Sequence, residues 1–257
     1  MTTGNGGIGA SAVRVEDDAF LRGNGRFMDD INVPGQIYAA FVRSPYANAQ
    51  VRRIDAASVS SWDGVVAVLT PADLISDDVG VVHAPSGLKS ANGTPIHNPQ
   101  QRALTDHPRF VGDTVAMVVA QTPLLAEEAA LALEIDYEPI DAVVNPHAAL
   151  AEDAPLVWPE FSTNLALDWE WGESAAVQAA FDRAAHIARV NVTNNRIMIT
   201  TLETRGALAS FDPGTGRYTL WTPTQGGTQV QLALAKPGLG VAPSAIRVIT
   251  PDVGGGF

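Results

Sequence analysis

Apolar positions along this chain fall into short runs separated by Gly, Pro and charged clusters. "QIYAAFVRS" (36–44), "GVVAVLT" (64–70) and "TVAMVVAQ" (114–121) are rich in β-branched residues and too short for independent helices, which predicts strands. "TPLLAEEAALALE" predicts a helix: Thr122 serves as N-cap, Pro123 takes the first helical position and acids follow. "IDYEPI" then returns as a strand. Strand, helix and strand in quick succession predict a βαβ unit within an α+β domain. Residues 76–108 mix polar, Gly and Pro signals and predict long loops.

Prolines thicken at Pro139, Pro146, Pro155 and Pro159, which places a domain boundary near there. The expected division is 1–145, with 1–13 as a flexible arm, followed by 146–257. In the second region "ESAAVQAAFDRAA" (173–185) predicts a helix and "HIARVNVTNN" (186–195) alternates like a strand. "RYTLWTPTQ" (217–225) predicts a strand, and "TQVQLALAK" a helix stopped by Pro237 and Gly238. "AIRVIT" (245–250) is a strand that feeds the terminal "PDVGGGF". Internal repeats and low-complexity tracts are absent from the sequence.

Composition narrows the chemistry. At 257 residues, 46% apolar and 17% charged, the chain has the make-up of one large or two ordinary globular domains. A net charge of −12 argues against nucleic acid and anionic membrane surfaces, both of which require a basic footprint. No apolar run reaches bilayer-spanning length, and the first residues have no basic n-region or apolar h-region, so a cytoplasmic location is expected. With no cysteine, the chain cannot build a disulfide, a zinc–thiolate site, an iron–sulfur cluster or a cysteine nucleophile. Any redox centre has to come from a bound cofactor or a partner subunit.

The N-terminal "GNGGIG" (Gly4 to Gly9) matches G-x-G-x-x-G, but only three residues precede it, leaving no room for the strand that a dinucleotide site needs. A flexible arm is the better reading. His83, His97, His107, His147 and His186 show no metal-ligand spacing, and no G-x-S-x-G occurs. Two places rise above this background. Gln225 lies where a strand ends and a helix is about to begin, the junction at which α/β folds present ligand-binding groups, and its neutral amide both donates and accepts. The plain alternative is a turn glutamine, with Gly226 and Gly227 making the turn. The closing glycines form the second place: successive backbone N–H groups in such a loop make a nest for anionic or oxo groups, with Phe257 as a cover. Here the plain alternative is a tight turn.

Taken together, ordered motifs resemble a known family. "RVEDDAFLRGNGRFMDDINVPGQIYAAFVRSPYANAQVRRID" (Arg14 to Asp55) is similar to the start of the molybdenum-binding large subunit of the xanthine dehydrogenase, aldehyde oxidase and carbon monoxide dehydrogenase family. "FVGDTVAMVVAQT", "AEEAALALEIDYEP", "NRIMITTLETRGALASFD", "LWTPTQ" and "IRVITPDVGGGF" follow in the family's order. The resemblance covers nearly the whole chain. Where many members continue after the glutamine with Pro-His, this chain has Gly226-Gly227-Thr228, and Lys236-Pro237-Gly238 is expected to shorten the next helix.

The resemblance implies an α+β fold: an N-terminal α/β hammerhead domain followed by the start of a molybdenum-cofactor-binding α+β domain. It implies part of a molybdenum hydroxylase, an oxidoreductase that hydroxylates an electron-poor carbon of an N-heterocycle or aldehyde with oxygen from water. The cofactor implied is a molybdenum–pterin, molybdopterin cytosine dinucleotide being the expected form, with 2Fe-2S and FAD on partner subunits. Gln225, Gly226, Gly254, Gly255, Gly256 and Phe257 are the implied cofactor-binding residues. No metal ligand and no catalytic residue is expected in this chain; the family's base, a glutamate, is expected downstream, so the chain is expected to be inactive alone. Expected partners are the remainder of the molybdenum subunit, an Fe–S small subunit and an FAD medium subunit. Glu203 and Arg205 match a recurrent Glu-x-Arg segment without an implied role, an ion pair on a loop being the plain reading. The rival from another class is a non-catalytic interaction module that keeps the hammerhead fold.

Overall fold

The structure is a computed structural model that describes residues 7–9, 11, 13–82, 90, 96, 99 and 102–256. The chain forms two compact units. One comprises Gly35–Ile197 with Ala233–Ala242; the other comprises the described residues up to Pro34, Met198–Leu232 and those from Pro243 onward. In space, therefore, the segment that ends at Pro34 clusters with the C-terminal residues rather than with the region it precedes in sequence. Most of the arm expected at 1–13 lies outside the described residues.

The larger unit is built around β1 (Tyr38–Arg43), β3 (Val65–Leu69) and β4 (Thr114–Ala120), an antiparallel sheet in the order β1–β4–β3. As the central strand, β4 has its Val115, Ala116, Val118 and Ala120 fully buried. A second, two-stranded sheet pairs β2 (Ala49–Ile54) with β5 (Ile135–Pro139), antiparallel. Helix α2 (Ala57–Ser60) follows β2, α3 (Pro71–Ser76) follows β3, and α4 (Pro123–Ala132) joins β4 to β5. Val59, Ala116, Val118, Ala129 and Leu133 form the core, with Val42, Val65, Val68 and Ile135 packed around it. Fully burying a valine of this kind contributes about 2 kcal/mol.

Helix α4 starts as the sequence predicts, with Pro123 in its first turn and Thr122 Oγ1 accepting from the Leu125 N–H at 3.2 Å. Helix α3 is an addition to the sequence reading. Thr70 caps it, and the Asp73 carboxylate accepts from the Thr70 N–H (2.7 Å) and hydroxyl (2.6 Å), which holds the Asp73 pKa below the usual carboxylate value. From 77 to 108 the described residues contain no helix or strand.

The βαβ unit expected around α4 is corrected. Both edges of β4 are already hydrogen-bonded, to β1 and β3, and β5 pairs with β2 in the other sheet. Helix α5 (Ser174–Asp182) forms within the predicted range. The strand expected at 186–195 does not form; these residues pair with no described strand, and Val190 and Val192 are 81% and 82% exposed.

The smaller unit contains α1 (Asp17–Leu21) and a three-stranded sheet of β6 (Leu208–Asp212), β7 (Arg217–Trp221) and β8 (Ile246–Ile249), in that order. β6 and β7 form an antiparallel hairpin, whereas β7 and β8 are parallel. Parallel neighbours need a crossover connection, which here includes α6 (Gly227–Ala233). Proline does not stop this helix as expected. The chain continues from Leu234 to Leu239 as a π-helical turn with Pro237 inside it. Gly240, at φ +68°, then ends the turn.

Candidate cofactor-binding site

The parallel pairing of β7 with β8 decides where the two sequence-selected loops go. Trp221 lies opposite Ile249, and the Thr222 N–H extends the ladder by donating to the Ile249 carbonyl at 3.1 Å. Both strands therefore end side by side, and the loops 222–226 and 250–256 leave from the same carboxyl edge. That edge is where open parallel sheets hold their ligands. Thr222 Oγ1 donates to the Gly206 carbonyl (3.1 Å), which ties the first loop to the segment before β6.

Gln225 is exposed, and its side-chain amide makes no hydrogen bond among the described residues. It packs against Gly256: a methyl group added there would lie 2.6 Å from both Cγ and Cδ of Gln225. The sequence-selected glutamine and glycine loop are thus in contact. Gly255, at φ +142°, occupies a conformation that side chains disfavour, so the loop requires glycine at this point. Gly226 is engaged in its own turn. Its N–H donates to Thr224 Oγ1 at 3.1 Å, and a Cβ there would overlap the Gln229 side chain. Phe257 lies outside the described residues.

Gly254 is held by Glu203, a residue to which the sequence reading gave no role. Glu203 Oε2 accepts from the Gly254 N–H at 2.6 Å, while Oε1 accepts from the Met28 N–H at 3.0 Å. A Cβ at Gly254 would collide with that of Glu203 and lie 3.2 Å from its backbone nitrogen, so the two backbones touch. Among the described residues Glu203 forms no ion pair with Arg205; it serves two main-chain donors instead. Asp252 anchors the start of the loop in the same way. Its N–H donates to the Arg26 carbonyl (3.0 Å), and its carboxylate accepts from the Arg26 N–H at 2.7 Å. Glu203 lies in the Glu-x-Arg segment and Asp252 in the closing PDVGGGF stretch, yet neither segment reveals these contacts, because the partners are remote in sequence.

The Gly254 N–H is thus occupied. The N–H groups of Gly255 and Gly256 make no hydrogen bond among the described residues, nor does the Gln225 amide. This leaves a small set of neutral donors and one neutral acceptor beside a backbone with no side chains to hold a ligand off. Such a set suits sulfur, oxo and phosphate oxygen atoms of a bound group better than a bare metal ion. Among the described residues, no group of three or more His, Asp and Glu that could hold a metal ion occurs.

A separate cavity of about 360 Å³ in the larger unit is lined by Leu104, Arg109, Asp113 and Trp158 among others. Its arginines are already engaged. Arg109 donates to the Val157 and His107 carbonyls and stacks 3.7 Å from the Trp158 ring centroid, and Arg102 donates to the Val79 carbonyl.

Residues 22–141 match the model of the aldehyde oxidase and xanthine dehydrogenase a/b hammerhead domain, and residues 157–257 match that of a molybdopterin cofactor-binding domain. The chain belongs to the xanthine dehydrogenase, aldehyde oxidase and carbon monoxide dehydrogenase family of molybdenum-binding large subunits. It is 31% identical over 264 residues to the carbon monoxide dehydrogenase large chain of Afipia carboxidovorans, covering 98% of this chain and 31% of that one. With the nicotine 6-hydroxylase large subunit of Paenarthrobacter nicotinovorans it shares 33% identity over 250 residues, covering 97% of this chain and 30% of the relative. The solved structure of quinoline 2-oxidoreductase from Pseudomonas putida 86 superposes with a TM-score of 0.83 at 32% identity, covering 97% of this chain and 31% of that one. The chain spans about a third of the length of these two curated relatives.

Proposed function

We propose that this chain supplies one wall of the molybdenum–pterin site of a molybdenum hydroxylase. The observation that carries the proposal is the meeting of the Gln225 amide with Gly256 at the shared carboxyl edge of β7 and β8. When bound, the cofactor supplies the two-electron redox capacity for hydroxylating an electron-poor carbon with oxygen from water. The chain's own residues bind and orient it. Gln225 gives one hydrogen bond, which contributes on the order of 1 kcal/mol. Gly255 and Gly256 let the backbone approach closely and offer N–H donors, and Gly254 holds the loop through Glu203. Phe257 is assigned to the same wall by the family resemblance, and Gly226 shapes the turn that presents Gln225.

By the family resemblance, the general base is proposed to be a glutamate downstream of this segment. Molybdopterin cytosine dinucleotide is the proposed pterin form. The partners proposed are the rest of the molybdenum subunit, a 2Fe-2S small subunit and an FAD medium subunit, assembled in the cytoplasm. The substrate class proposed is an N-heterocycle or aldehyde, and the chain alone does not turn over. The described residues contain no helix long and apolar enough to cross a membrane.

Molybdenum and pterin content of the complex recovered from source cells through a tag on this chain tests the proposal. About one molybdenum per chain is expected. A folded chain recovered alone without molybdenum contradicts it and favours the interaction module.

A further inference from the structure

Residue Glu203 reaches two main chains that are far from it in sequence, Met28 at a separation of 175 residues and Gly254 at 51. Each carboxylate oxygen accepts one N–H, so both oxygens are occupied by the backbone. The Met28 side chain is buried, and its Cγ would lie 3.0 Å from a Cβ added at Gly206. Asp252 ties the same strip of chain to the same loop two residues earlier, through both hydrogen bonds to Arg26. The strip 26–28 and the loop 252–254 are thereby fastened at both ends, once by each carboxylate.

This arrangement has a consequence for the unpaired donors. Gly255 and Gly256 carry no anchoring hydrogen bond of their own among the described residues, and Gly255 sits at φ +142°. Their position is inherited from Gly254. A glycine run left to itself samples many conformations, so something outside it has to fix the donors before a ligand arrives.

We infer that Glu203 is a positioning residue for the cofactor: it clamps Gly254 to Met28 and so presets the Gly255 and Gly256 N–H groups beside Gln225. It does not touch the cofactor itself. The inference rests on the reading of this loop as the cofactor wall. Charge is part of the role, because a carboxylate presents an acceptor on both sides at once. A glutamine of the same size keeps one acceptor and turns an N–H₂ group toward the other donor.

The test uses Glu203→Gln in the complex recovered with this chain, beside Thr122→Ala as a variant that weakens a helix cap in the other compact unit. Two readouts are taken: amide exchange in the peptide covering 250–256, and molybdenum retained after gel filtration. Glu203→Gln is expected to exchange about tenfold faster in that peptide and to retain several-fold less molybdenum, with the subunits still recovered together. Thr122→Ala is expected to match the wild type in both. Wild-type exchange and molybdenum retention in Glu203→Gln would overturn the inference, as would equal losses in Thr122→Ala, which would mark a general loss of stability. If the wild-type complex itself holds no molybdenum, the functional reading fails. The exchange readout then decides the clamp alone: unchanged protection in Glu203→Gln overturns it, and faster exchange supports it.

Discussion

His107 occupies one tautomer by geometry. Its Nε2–H donates to Asn48 Oδ1 at 2.9 Å, because Nδ1 faces the Arg109 guanidinium at 3.2 Å and has to accept. A neutral imidazole satisfies both neighbours, and an imidazolium satisfies neither the guanidinium nor its own burial. Burial first, and then the Arg109 charge, push the His107 pKa below 6.5, against the opposing pull of Asp106 and Glu160. The unfolded chain therefore takes up a proton near pH 6.5 that the folded chain refuses, and stability falls as pH drops below that value until the folded pKa is passed. The urea midpoint is expected to fall between about pH 7.5 and about pH 5.5, and to fall less in His107→Gln. An identical fall in the variant would remove His107 as the cause. At this scale the sequence reveals some roles and hides others. Gln225 can be selected because its chemistry and the strand–helix junction lie within one short stretch. Glu203 cannot, since its meaning depends on Met28 and Gly254, and nothing between them encodes the meeting.

Elements were legible wherever their partners are local or the pattern is strong. β4 is apolar from Val115 to Ala120 and pairs along both of its edges, and Thr122-Pro123 marks the start of α4 without ambiguity. Their weights are expected to differ. Val118→Ala leaves a cavity in the core and is expected to cost about 2 kcal/mol. Thr122→Ala removes one cap and is expected to cost about 1 kcal/mol. Denaturation midpoints check the order, and a larger loss from Thr122 would contradict the core assignment. The failures share one cause. Residues 186–195 alternate like a strand, but a strand exists only with a neighbour to accept its hydrogen bonds, and none is present among the described residues. Periodicity gives element types without giving pairing, so it suggests a βαβ unit at α4, whereas the parallel pair is β7 and β8. Pro237 reads as a helix stop, yet a π-helical turn accommodates it.

On the scale of the molecule, the chain is a family member that spans about a third of the length of the carbon monoxide dehydrogenase large chain of Afipia carboxidovorans. The division expected near residue 145 follows the order of the sequence, whereas the compact units bring the residues before Pro34 to the glycine loop. That long-range closure is invisible to a linear reading, because Arg26 and Met28 act through their backbone N–H groups. The decisive measurement is the structure of the molybdenum-loaded complex recovered with this chain, read at the Gln225 amide. Its separation from the nearest cofactor atom is expected to be about 3.5 Å or less, with the Gly255 and Gly256 backbone in contact with the same group. A cofactor bound elsewhere, with Gln225 beyond both a direct and a water-bridged hydrogen bond, would contradict the assignment of this wall.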